Sequence, residues 1–120
     1  MSYDVHIYRV ETMQSEKQAV DKQLFWDNDI NAEPFTNQQR QQLHIRLLNY
    51  NYVADKEEND STSYRHEDDL GIAVLLTDRA LYFSATGEGI FEISMTASEF
   101  TDTGEFAKYD VQNGGWEKID

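Results

Sequence analysis

Cysteine is missing from the 120 residues. That excludes a disulfide, a thiolate metal site and a cysteine nucleophile, and it accords with a reducing cytoplasm. Proline occurs once, at Pro34, so few boundaries are marked by ring constraint. Positive charge is scarce. Ten Lys and Arg stand against 23 Asp and Glu, for a net charge of −13. A chain this acidic is repelled by nucleic acid and by anionic membranes and attracted to basic proteins. No apolar run is long enough to span a bilayer. The opening MSYDVHIYRV lacks the basic and apolar regions of a secretory signal, so a cytoplasmic protein is expected. The catalytic fingerprints HExxH, GxSxG and the phosphate-binding glycine loop are absent. Gly87-Glu88-Gly89 is a lone GxG that reads as a turn between strands.

The length fits a single domain over 1–120. Its organising stretch is Leu70–Phe100, the one long apolar region. Leu70, Ile72, Val74 and Leu76 alternate, with Ala73 and Leu75 between them, as in a strand buried on both sides. Leu81, Tyr82 and Phe83 open a second strand, and Phe91, Ile93 and Met95 alternate as a third. Short links make this an antiparallel meander, with Val74, Leu76, Leu81 and Phe83 in the core. A competing pattern, Thr96-Ala97-Ser98-Glu99, has the form of a capping box. Residues 97–103 are therefore open between strand and short helix.

Elsewhere, Tyr3–Val10 alternates as a strand with Val5 and Ile7 inward and Asp4, His6 and Tyr8 on the other side. Residues 11–26 read as a polar helix with Val20 and Leu24 on one face. Thr36 and Gln39 form a capping box opening a helix over 37–49, with Leu43, Leu47 and Tyr50 as a stripe that Ile45 and Leu48 widen. Tyr52-Val53 and Ser63-Tyr64-Arg65 are the arms of an irregular hairpin. Glu105–Val111 and Trp116–Ile119 flank the turn at Asn113-Gly114-Gly115. The expected fold is α+β: a largely antiparallel sheet with two helices, near 12–26 and 37–49, packed on one face.

No residue set marks a catalytic centre, and no cofactor is expected. The best metal candidate, His66-Glu67-Asp68-Asp69, lies along an extended chain whose side chains alternate, so it reads instead as a water-facing segment. What remains is a protein-binding surface. Residues 51–120 hold sixteen acids against five bases, and Asp55–Asp69 is the densest part. Tyrosine and tryptophan anchor interfaces while carboxylates steer a basic partner. The expected partner-binding residues are Tyr52, Asp55, Glu57, Glu58, Asp60, Tyr64, Glu67, Asp68 and Asp69, with Tyr109 and Trp116 beyond them.

At its two ends, YDVHIYR and EFAKYDVQNGGWE, the chain resembles the small acidic immunity proteins that accompany bacterial polymorphic toxins. The resemblance implies a cytoplasmic α+β protein that binds and blocks one basic partner, a cognate toxin. The alternatives are a small metal-dependent enzyme built on the acidic cluster and His66, or a regulatory or adaptor domain.

Overall fold

The computed structural model describes residues 3–27, 31–68 and 71–117. The chain runs β1 (Tyr3–Arg9), α1 (Val10–Gln18), α2 (Lys22–Trp26), α3 (Asn37–Asn49), β2 (Tyr52–Glu57) and β3 (Ser61–His66). It continues through β4 (Ile72–Thr77), β5 (Leu81–Ala85), α4 (Gly89–Glu99), β6 (Phe106–Asp110) and β7 (Gly115–Trp116). One seven-stranded sheet has the order β2-β3-β4-β5-β1-β6-β7, and every pairing is antiparallel. The fold is α+β. Among the described residues, no helix is long and apolar enough to cross a membrane.

Side chains directly opposite in a ladder share a face. The row Val5, Phe83, Val74 and Tyr64 therefore crosses four strands on one side. This side holds the core. Val5, Ile7, Leu81 and Phe83 are fully buried, joined by Leu43 and Leu47 of α3 and by Ile93, Ala97 and Phe100 of α4 and its end. Val74, Leu76, Leu81 and Phe83 are buried as their alternation predicts. The capping box of α3 forms as read: Gln39 N–H donates to Thr36 Oγ1 at 3.1 Å, and Thr36 N–H to Gln39 Oε1 at 2.9 Å. The irregular hairpin is β2–β3, with a bulge between Ala54 and Lys56.

Four expectations are corrected. The third strand of the meander is the helix α4. Phe91, Ile93 and Met95 do alternate, but Ile93, Ala97 and Phe100 recur at helical spacing, and that stripe is the one buried. Phe91 and Met95 are left exposed, at 76% and 44%. The helix ends at Glu99, so Thr96–Glu99 closes it instead of opening another. The polar helix near 11–26 is broken at Ala19, which is extended, and restarts with Asp21 capping Leu24 N–H. Val20 and Leu24 consequently face solvent, as do Ile45 and Leu48 on α3. Finally, β4 is buried on one side only: Ala73 is exposed and Leu75 half-buried.

Of the two helical stretches expected over one face, α3 lies on the core side, where α4 joins it. Trp26 of α2 instead meets Tyr8, Tyr109 and Trp116. Those three belong to the opposite face by register. Glu16 of α1 fastens this second layer. It is buried, and its two carboxylate oxygens accept from the indole N–H groups of Trp26 (3.2 Å) and Trp116 (3.3 Å). The second layer thus sits toward β1, β6 and β7, and among the described residues none covers the half of this face made by β3, β4 and β5.

Candidate functional site: an uncovered sheet face

The uncovered face follows from the ladder register. Period-two alternation sends His6 and Tyr8 of β1 away from the core, and the pairing places Tyr82 opposite His6 on β5 and Tyr109 opposite it on β6. The His6 and Tyr82 rings meet edge to face, 4.6 Å apart at 87°. His6 Nδ1 and the Tyr8 hydroxyl form a hydrogen bond of 3.1 Å. Burial pushes the His6 imidazole down to about 4, against the opposing charge of Asp4, so the ring is neutral near pH 7.

Two adjoining depressions share His6 and Tyr82. The larger is a cleft of about 580 Å³ with Tyr8, Tyr82, Tyr109 and Trp26 in its lining and Asp60 and Asp78 among its polar residues. The smaller, of about 410 Å³, continues over β3–β5 past Leu75 toward Asp55 and Arg65. Arg79 is the one Lys or Arg among the described residues lining the larger cleft. Its guanidinium donates to the Ala32 carbonyl and lies 3.9 Å from Asp78. An aromatic floor, acids at the margin and a compensated arginine favour a bound cation over an anion.

The described residues among those predicted for binding divide into four groups. Asp55, Glu57, Glu58 and Asp60 are exposed on the β2–β3 hairpin, and Asp55 and Asp60 reach the two depressions. Glu67 and Asp68 are exposed in the turn after β3, at the opposite end of that strand from Asp60, so the acidic stretch is not one patch. Asp69 lies outside the described residues.

Tyr52 and Tyr64 do not fit the role of exposed anchors. They are 1% and 3% exposed and belong to the core. Tyr64 shares a hydrogen bond of 2.6 Å with His44 Nδ1. Tyr52 packs edge-on against His66 and Phe83. Both tyrosines have core-side parity in their strands, and sequence composition alone hides that parity. Tyr109 and Trp116 are half-buried in the second layer, and Tyr109 borders the larger cleft.

His66 is also turned inward, at 4% exposure, instead of facing water. It accepts the Asp68 N–H on Nδ1 (3.1 Å), and its Nε2 is 3.9 Å from Glu92. Asp68 is largely exposed, with its carboxylate 4.0 Å from His66 Nδ1, and Glu67 is exposed on the same turn. Among the described residues, no three His, Asp or Glu side chains are grouped to hold a metal ion.

Compared with known proteins, the chain matches no family model and no curated protein. The face must be interpreted from its own chemistry. Sequence reading missed Tyr8, Trp26, Tyr82, Asp78 and Arg79 as parts of one surface. The available signal was parity: Tyr8 and Tyr82 occupy outward positions of two strands already recognised as apolar on their other side.

Proposed function

We propose that this protein is a non-catalytic inhibitor that binds a basic protein, of the immunity-protein kind that neutralises a cognate bacterial toxin. The observation that carries the reading is the cleft where the second layer borders the uncovered sheet face, which brings Trp26 and Tyr109 beside Tyr82 and the aspartates on a molecule of net charge −13. Aromatic side chains bring large contact area at small entropic cost, and carboxylates around them steer a cationic partner and set its register. The β2–β3 hairpin extends the surface with Glu57 and Glu58. The site thus keeps Asp55, Glu57, Glu58, Asp60 and Tyr109 from the sequence expectation and replaces Tyr52 and Tyr64 with Tyr82 and Trp26.

The test is co-expression with the product of the neighbouring gene. An immunity protein protects the host from that product and purifies with it as a stoichiometric complex. A harmless neighbour that forms no complex would contradict the proposal. The second reading is a regulatory domain that takes a small molecule in the larger cleft, whose volume falls in the ligand-binding range.

A further inference from the structure

We infer that the larger cleft is a receptor for one arginine side chain of the basic partner, held against the Tyr82 and Trp26 rings with Asp60 and Asp78 beside it. The inference rests on the protein-binding reading and names what that site would recognise.

Four observations lead to it. The cleft's lining joins aromatic groups from three strands and α2, namely Tyr8, Tyr82, Tyr109 and Trp26. Aromatic faces carry negative quadrupole potential, which attracts a cation. Asp60 and Asp78 bring two negative charges against the single positive charge of Arg79, whose guanidinium also donates to the Ala32 carbonyl, so one negative charge is left in excess. His6, neutral near pH 7, contributes no opposing positive charge. The protein also uses the same combination internally. The Arg46 guanidinium lies 4.8 Å from the centre of the Phe100 ring while it bonds both carboxylate oxygens of Asp102, at 2.9 and 3.3 Å. Arginine is favoured over lysine because its planar, weakly hydrated head stacks on rings and keeps its donors in plane for a carboxylate. At about 580 Å³ the cleft is larger than one side chain, which leaves room for the backbone on either side of the arginine.

The experiment is an NMR titration of the isotope-labelled full chain at physiological salt. Three peptides are compared: acetyl-Gly-Arg-Gly-amide, the same peptide with lysine, and the same peptide with citrulline, the neutral isostere of arginine. The readouts are the Trp26 indole N–H and the His6 ring. The arginine peptide is expected to shift both saturably, with a Kd of roughly 1–10 mM, and the citrulline peptide at least about tenfold more weakly. Tyr82→Leu keeps an apolar side chain but removes the ring. It and Asp60→Asn should each weaken the arginine peptide about fivefold, and Asp60→Asn should leave the melting temperature unchanged.

Equal binding of arginine and citrulline peptides would overturn the inference and leave an apolar groove. So would the absence of any saturable shift at Trp26 and His6. A lysine peptide that binds as tightly as arginine would overturn the choice of arginine. None of these results decides whether the whole face binds a basic protein, because the neighbouring-gene complex is measured without the peptides. Failure of that complex, in turn, leaves the peptide result standing.

Discussion

At the scale of single residues, the buried charges distinguish the two layers. Lys108 of β6 is 4% exposed and donates to the Ser94 carbonyl, Ser94 Oγ and Ser98 Oγ at 3.0–3.2 Å, with Glu117 at 3.5 Å. It fastens α4 to the sheet. Removing one member of a buried ion pair strands the groups that answered it, and truncation adds a cavity. Lys108→Met, which leaves Ser94, Ser98 and Glu117 without their donor, is therefore expected to lose about 3 kcal/mol, and Lys108→Ala to lose more. Urea unfolding with an unchanged m-value is the measurement.

His6 gives a pH dependence whose sign follows from its lowered pKa. The ordinary value is 6.5 and the folded value about 4. Between these values the unfolded chain takes up a proton that the folded chain does not, so stability falls as pH drops through this window. The loss between pH 7 and pH 5 is roughly 2 kcal/mol, and His6→Gln should remove that part of the slope. A variant with the same slope as the parent would show that His6 does not drive it. Little of this residue scale was legible in the sequence. Tyr52, Tyr64 and His66 have the composition of a polar surface stretch, but strand parity turns them inward.

At the scale of elements, short-range chemistry was readable and long-range choice was not. The Thr36 capping box uses groups three residues apart, and the β2–β3 turn uses local Asn, Asp and Ser, so both follow from the sequence. α4 did not, because its residues satisfy two periods. The structure chooses between them through what the sheet buries. In a strand, Phe91, Ile93 and Met95 would share one face and one sensitivity. In the observed helix, Phe91→Glu and Met95→Glu should change stability by less than about 0.5 kcal/mol, whereas Ile93→Glu should unfold the protein. Equal damage at all three positions in thermal melts would restore the strand.

Gly71 belongs to the same scale. Its φ is +72°, and a Cβ there would lie 3.0 Å from Thr86 Oγ1, where the turn before β4 meets the end of β5. Gly71→Ala is expected to cost about 1–2 kcal/mol, from both strain and contact, measurable as a lowered denaturation midpoint.

At the scale of the whole molecule, the charge balance was legible from the start, and its distribution was not. Asp55–Asp69 is continuous in sequence, but β3 separates Glu57, Glu58 and Asp60 at the hairpin tip from Glu67 and Asp68 at the strand's other end, and Asp60 borders the larger cleft. Asp78, distant in sequence, joins the hairpin side because the β4–β5 turn lies there. The central claim is that the aromatic and acidic sheet face, not the acidic segment as a whole, meets a basic protein.

Association kinetics with the neighbouring gene's product test it most directly. Two neutralised variants are compared at low salt: Asp55→Asn/Asp60→Asn/Asp78→Asn on the uncovered face, and Glu67→Gln/Asp68→Asn at the far end. The predicted result is an association rate about tenfold slower for the first variant, a difference that shrinks as salt is raised, and a rate near the parent's for the second. Slowing by the far-end variant alone, or equal rates for both variants and the parent, would contradict the account.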